Sequence, residues 1–321
     1  MIAASRVRRL VTASVVIGLS AVVSIRLGAA ADGGMNFDRL TRVGQANAAP
    51  LQFAVARDGA PLAYRDYAGS QNRVLIIYHG SGTEGGYLDP LARRIANAGL
   101  ARVIVPNARG HYRSGSRRGD IDHIGQLEED LEDLIAHLQL DRADIGLFLA
   151  GHSSGGGFAA RYAGSKYGRR LSGLILLAPY LGYKAPSSRK SSGGWVTVDT
   201  GRIIQISYLN STGDRSRNGE TVLSFNMPQT VRNGTETLGY SYRLMTNFGS
   251  NADYAEDIAG ATVPILVLAG GADGAMNSVA YEEIFRDKAD TTVQILDGVG
   301  HLDIVSSPAA LDGIANWLAN R

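Results

Sequence analysis

The sequence predicts an α/β fold with a mostly parallel central sheet, helices on both faces and an inserted cap. Three observations carry that expectation. From Val74 onward, short apolar runs of strand length alternate with amphipathic stretches of helix length. A strand, a sharp turn and a helix follow one another across Gly151-His152-Ser153-Ser154-Gly155. The alternation then stops near Leu181 and resumes only at Pro264.

At 321 residues and 45% hydrophobic content the chain can bury a large core, and its length suits one large domain carrying an insertion. Its formal net charge of +2, with arginines scattered along the chain, gives no sustained basic field, so nucleic acid is not an implied partner. The lack of cysteine excludes disulfides, a cysteine nucleophile and thiolate metal sites. Nothing in the sequence points to a metal or an organic cofactor.

Arg6, Arg8 and Arg9 precede an uncharged apolar run from Leu10 to Ile25. Residues 1–31 are therefore expected to be a signal peptide or a membrane anchor. Ala29-Ala30-Ala31 offers a small-residue cleavage site, while a retained helix would need Arg26 to snorkel, so both outcomes stay open. Either way, the arginines stay cytoplasmic and the rest of the chain is exported. Residues 32–50 are polar and rich in small residues and read as a linker, with the folded domain running from 51 to 321.

Within the domain, Leu51 to Ala56 and Leu62 to Tyr67 flank an Asp-Gly-Ala-Pro turn and predict an edge hairpin. Val74 to Tyr78 is a buried strand leading into His79-Gly80-Ser81-Gly82, followed by a helix over Pro90 to Ala98 and a strand over Ala101 to Val105. Ile121, Ile124, Leu127, Leu131, Leu134, Ile135 and Leu138 share one helical face, opposite the acidic side chains of Glu128 to Asp133. Strands are expected over Asp144 to Ala150 and Leu174 to Ala178. Between about 181 and 258 the chain is rich in Gly, Ser and Asn with interspersed aromatics, and reads as a cap at the carboxyl ends of the strands, where ligands bind in such sheets. The last part is regular again. Strand Pro264 to Leu268 leads to Gly271-Ala272-Asp273, Ser278 to Lys288 is helical, Thr292 to Leu296 leads to Gly298-Val299-Gly300-His301, and Pro308 to Ala319 forms a final helix.

The Gly151 to Gly155 pentapeptide carries the chemistry. A serine hydroxyl is a weak nucleophile unless it stands clear of the sheet, beside a base and within reach of oxyanion donors. Gly-x-Ser-x-Gly between a strand and a helix meets the first condition, because glycines two residues either side let strand and helix approach. Ser153 is the candidate nucleophile. With 40 glycines in the chain, such a turn also arises by chance, so distant partners must decide.

From about Leu51 onward, the cap excepted, the chain resembles the α/β-hydrolase superfamily, in particular its monoacylglycerol-lipase-like and serine-aminopeptidase-like branch. The resemblance implies a Ser-Asp-His order, with acid and base in loops after late strands. It thereby assigns the acid to Asp273 and the base to His301, with Asp297 and Asp303 as neighbouring carboxylates. It places the oxyanion donors at the amides of Ser81, after His79-Gly80, and Ser154. Asn107-Ala108-Arg109-Gly110-His111-Tyr112-Arg113-Ser114 resembles the family's Asp-x-Arg-Gly-x-Gly-x-Ser loop, with Asn107 for the acid and Tyr112 for the second glycine. Arg109 there reads as a structural donor.

Three functions compete. The first is an exported serine hydrolase that cleaves a small-molecule or lipid-like carboxylic ester through an acyl-enzyme. The second is a serine aminopeptidase, which needs a carboxylate for the substrate amine; Asp199, Asp214, Glu220 and Glu236 are available in the cap. The third is a catalytically silent binding protein on the same fold. The sequence does not determine the oligomeric state.

Overall fold

The computed structural model describes residues 35–37 and 48–321. The expected signal or anchor over 1–31 lies outside the described residues, as does most of the linker expected over 32–50. Among the described residues no helix is long and apolar enough to cross a membrane.

The main sheet has eight strands in the order β1-β2-β4-β3-β5-β6-β10-β11. They span β1 Gln52–Val55, β2 Pro61–Tyr67, β3 Arg73–Tyr78, β4 Arg102–Pro106, β5 Gly146–His152, β6 Gly173–Leu177, β10 Ile265–Gly270 and β11 Thr291–Leu296. Only β2 runs against the rest, pairing antiparallel with both β1 and β4, so the fold is the mostly parallel α/β arrangement that the alternation predicts.

The interior strands are apolar throughout because both faces are covered. Side chains alternate between two cores. Leu147, Leu149, Leu174, Leu176, Ile265 and Val267 pack with helices α2 (Gln126–His137) and α3 (Ser154–Gly164), through Leu127, Leu131, Phe158 and Tyr162. Phe148, Ala150, Ile175, Leu177, Leu266 and Leu268 face the other way, onto Leu91 and Ile95 of α1 (Asp89–Asn97) and Ile314 and Leu318 of α8 (Pro308–Ala319). Burying each such Leu, Ile or Phe contributes about 1.5–3 kcal/mol. Helix α8 starts where the sequence places it, since Pro308 occupies its first turn and the Ser307 hydroxyl accepts from the Ala310 amide.

Two helices are shorter than the sequence suggests. Ile121 and Ile124 keep the apolar spacing of α2 but precede it: Gly125, at φ 106°, breaks the helix before Gln126. The Asn247 side-chain oxygen caps the start from far along the chain, accepting from the Gly125 and Leu127 amides. A pattern of residue types carries no trace of that distant cap. The stretch from Ser278 to Lys288 holds only α7, Ala280–Ile284, beyond which the Arg286 and Lys288 amides bond three residues back in turns.

Residues 181–258 hold a three-stranded antiparallel sheet of β7 (Val196–Val198), β8 (Thr221–Phe225) and β9 (Gly239–Ser241), together with helices α4 (Thr200–Ser211), α5 (Tyr242–Asn247) and α6 (Tyr254–Gly260, which ends just beyond). Strands of three residues are too short to display a period. Arg243 fastens this region to the loop before α2 with a fork onto Asp120 at 2.8 and 2.6 Å.

Candidate active site

The loops after β3, β5, β10 and β11 leave the same edge of the sheet, where the strands' carboxyl ends open a crevice. After β5 the chain turns at Ser153, whose backbone sits at φ 55° and ψ −119°. A β-carbon on Gly151 would lie 2.0 Å from the Gly155 carbonyl oxygen, and one on Gly155 would lie 2.4 Å from that of His79. Neither position accepts any other residue. Such a conformation costs of order 1–3 kcal/mol. It persists because the Ser153 amide donates to Leu177 O at 2.9 Å while its carbonyl accepts from Gly157 and Tyr180 at 3.1 and 2.9 Å.

Asp273 and His301, from the loops after β10 and β11, meet: His301 Nδ1 lies 2.7 Å from Asp273 Oδ2. Both are buried. The other carboxylate oxygen, Asp273 Oδ1, accepts from the Ala275 and Met276 amides at 2.8 Å each. Burial alone would push the Asp273 carboxyl up, but His301 and these amides hold it below its ordinary value. An ionised Asp273 accepts from His301 Nδ1, which leaves Nε2 as the nitrogen free to take a proton in the neutral ring. Asp303, by contrast, lies beside Gly300.

Ser153 and His301 line one cleft, open to solvent, together with Gly80, Ser81, Thr83, Tyr87 and His152. Among the described residues no hydrogen bond ends on the Ser153 hydroxyl, and in unliganded sites catalytic hydrogen bonds commonly form only with substrate in place. Met35, Phe37, Trp195 and Leu302 complete the wall, with the Phe37 and Trp195 rings 5.1 Å apart.

Ser81 and Ser154 come together as well, their hydroxyls joined by a hydrogen bond. A β-carbon on Gly80 would lie 3.2 Å from that of Ser153, which sets the loop after β3 directly against the turn. Ser154 opens α3, so its amide has no acceptor within the helix. Among the described residues neither the Ser81 nor the Ser154 amide has a hydrogen-bond acceptor.

Two site residues escape sequence reasoning. His152 Nε2 donates to the His301 carbonyl at 3.0 Å, so its Nδ1 must accept, and it does so from the Tyr87 hydroxyl at 2.7 Å. Tyr87 in turn accepts from the Gly80 amide at 2.8 Å. One chain of bonds thus fixes the loops after β3, β5 and β11 against each other. The sequence places His152 inside the turn, but no motif discloses its partner. Asn107 and Arg109 are structural: Asn107 bridges the Gly85 amide and the Tyr112 carbonyl, and Arg109 is held between Asp130 and Asp58.

His79, His111 and His152 are fully enclosed, and burial holds them neutral, His79 at about 4, His152 at about 3, and His111 well below its ordinary value. In the unfolded chain each returns to about 6.5. The unfolded state therefore binds protons below that pH which the folded state refuses, and stability falls as pH drops from 6.5 toward 4. The slope should be about 1.4 kcal/mol per pH unit for each histidine, and so about 4 for all three. Urea unfolding at pH 7.5, 6 and 5 measures it, and a flat profile would rule out neutral burial.

The family described as Hydrolase_4, serine aminopeptidase S33, matches residues 69–304. The chain belongs to this family. Its relatives include the monoacylglycerol lipase of Mycolicibacterium smegmatis (strain ATCC 700084 / mc(2)155), 25% identical over 260 residues that cover 77% of this chain and 88% of the relative. They also include the non-heme chloroperoxidase CPO-A1 of Kitasatospora aureofaciens, 27% identical over 240 residues, covering 70% and 82%. Among solved structures, a soluble variant of the monoglyceride lipase of Saccharomyces cerevisiae in complex with a substrate analog superposes with a TM-score of 0.64 at 19% identity, covering 85% of this chain and 96% of that one. This family member is a hydrolase on the α/β-hydrolase fold. The family match falls within residues 51–321 and also runs through the stretch from 181 to 258 that the sequence resemblance leaves out.

Proposed function

We propose that the chain hydrolyses a small or lipid-like carboxylic ester through an acyl-enzyme, with Ser153 as nucleophile, His301 as base and Asp273 as its orienting acid. The observation that supports this most is the His301–Asp273 pair in the same cleft as Ser153, beside two amides without acceptors. Ser153 Oγ adds to the ester carbonyl carbon as its proton passes to His301 Nε2, and the carbonyl oxygen becomes an oxyanion facing the Ser81 and Ser154 amides. Collapse breaks the bond to the alcohol, which leaves with the proton from His301. Water then attacks the acyl carbon and gives its proton to His301, and the second collapse returns that proton to Ser153 and frees the carboxylic acid.

The cleft lining favours an ester over a peptide amine. Among the described residues it contains no carboxylate beyond Asp273 behind His301, while Met35, Phe37, Trp195 and Leu302 supply apolar surface. The cap carboxylates are engaged elsewhere: Asp199 caps α4, Glu220 pairs with Arg217, Asp214 accepts from the Ser216 amide and Glu236 from that of Gly234. The arginines and apolar run before residue 31 support export of the hydrolase, by cleavage or with the anchor retained.

A panel of p-nitrophenyl esters and monoacylglycerols of increasing chain length, run beside aminoacyl amides, tests the reading. Esters are expected to turn over at least about 100-fold faster in kcat/KM than the amides, a gap of about 2.7 kcal/mol in transition-state stabilisation. Faster amide turnover would make the protein a peptidase, and none on either class would leave it a binding protein.

A further inference from the structure

The bonds around Ser81 point to a second tyrosine, delivered by the cap. The backbone groups flanking Ser81 are saturated. The Gly80 amide donates to the Tyr87 hydroxyl at 2.8 Å, and the Gly80 carbonyl accepts from His79 Nδ1 at 2.8 Å and the Thr83 hydroxyl at 3.0 Å. On the other side the Gly82 amide donates to the Tyr240 hydroxyl at 3.0 Å, and the Gly82 carbonyl accepts from the Thr237 amide at 3.0 Å. Between these four engaged groups stands the Ser81 amide, with no acceptor among the described residues.

Tyr240 is itself pinned. His111 Nδ1 donates to the Ala108 carbonyl at 3.1 Å, which leaves Nε2 to accept, and it receives the Tyr240 hydroxyl proton at 2.5 Å. Tyr240 is buried in β9, its ring against Phe225 at 4.7 Å. Trp195 bears on the same glycine: Gly82 sits at φ 74°, and a β-carbon there would lie 2.9 Å from the indole. Both polar bonds of Gly82, and the ring packed on it, thus come from residues between 181 and 258.

We propose that Tyr240 is a positioning residue, through which the cap aims the Ser81 amide at the oxyanion. This rests on the ester-hydrolase reading above. The physical content is that an oxyanion donor works only if held in place before charge develops. On the Gly82 side, the parts that hold it belong to the cap rather than to the sheet. Covering the substrate and completing the electrostatic site are then one event, and a cap that lifts away takes the donor's support with it.

The test is Tyr240→Phe in the full chain, which keeps the ring and its packing and removes one hydroxyl. Wild-type ester turnover and fluorophosphonate labelling at Ser153 come first; if both are absent, the hydrolase reading fails and not this inference alone. Given an active wild type, the variant is expected to lose about 10- to 100-fold in kcat with KM within about twofold, less than deletion of a whole donor costs. Its affinity for phenylboronic acid, which forms a tetrahedral adduct on the serine, should fall by the same factor. A purely structural role would lower Tm without that matched loss. Unchanged kcat, or a kcat loss with boronate affinity intact, overturns the proposal. His111→Phe, which removes the acceptor for the Tyr240 hydroxyl, should shift both quantities in the same direction. Should neither variant fold, hydrogen exchange on the wild type decides: amides at 80–84 and 237–242 opening together support the coupling, and cap amides exchanging while 80–84 stay protected refute it.

Discussion

Ser153→Ala should lower kcat on the best ester of the panel by at least about 10⁴-fold, and abolish fluorophosphonate labelling, with Tm nearly unchanged. The magnitude follows from the role: removing the nucleophile of a serine hydrolase leaves only binding and oxyanion stabilisation, and comparable deletions cost about 10⁶-fold elsewhere. Stability is spared because the side chain makes no hydrogen bond among the described residues, and its removal leaves the backbone bonds of the turn in place. Intact activity in this variant would end the proposed mechanism.

Asp273→Asn should cost about 10⁴-fold in kcat, close to the loss known for the equivalent change in a serine protease. The mechanism differs from simple charge loss. An asparagine amide facing His301 Nδ1 can donate there, which would leave the proton on Nε2 and the imidazole unable to act as a base. The same variant carries a stability signature with a fixed sign. The Asp273 carboxyl is held below its ordinary value in the folded state, so its hydrogen bonds to His301 and the two amides contribute stability above the usual carboxylate range and lose it as pH falls through the depressed value. The wild type should therefore exceed the asparagine variant in unfolding free energy at neutral pH, with the difference shrinking under acid. Denaturant titrations of both proteins at pH 7 and pH 3 measure this. A gap that widens under acid would contradict the pairing.

Sequence was informative wherever chemistry is encoded by neighbours or by order along the chain. Gly151 and Gly155 bracket Ser153 within five residues, and the backbone contacts at those glycines permit no side chain. Asp273 and His301 each follow a strand, and parallel strands deliver their following loops to one edge of a sheet, so 28 positions of separation become 2.7 Å. What stayed illegible depends on contacts between residues with no shared pattern. His152 and His111 look like any other histidines until the hydroxyls of Tyr87 and Tyr240 are seen against them. Ile121 and Ile124 continue the helical spacing although only Ile121 is buried and Ile124 is exposed, and the glycine at 125 overrules them. Two of the three strands within residues 181–258 have only three residues, below the length at which alternation can be read.

Phe37 and Met35 stand ahead of the first strand and outside residues 69–304, yet they form part of the wall around the candidate nucleophile. A version of the protein that began at the folded sheet would keep Ser153, Asp273 and His301 and lose one side of the cleft beside them. Substrate preferences measured on such a fragment would report on a roomier cleft than the one these side chains enclose.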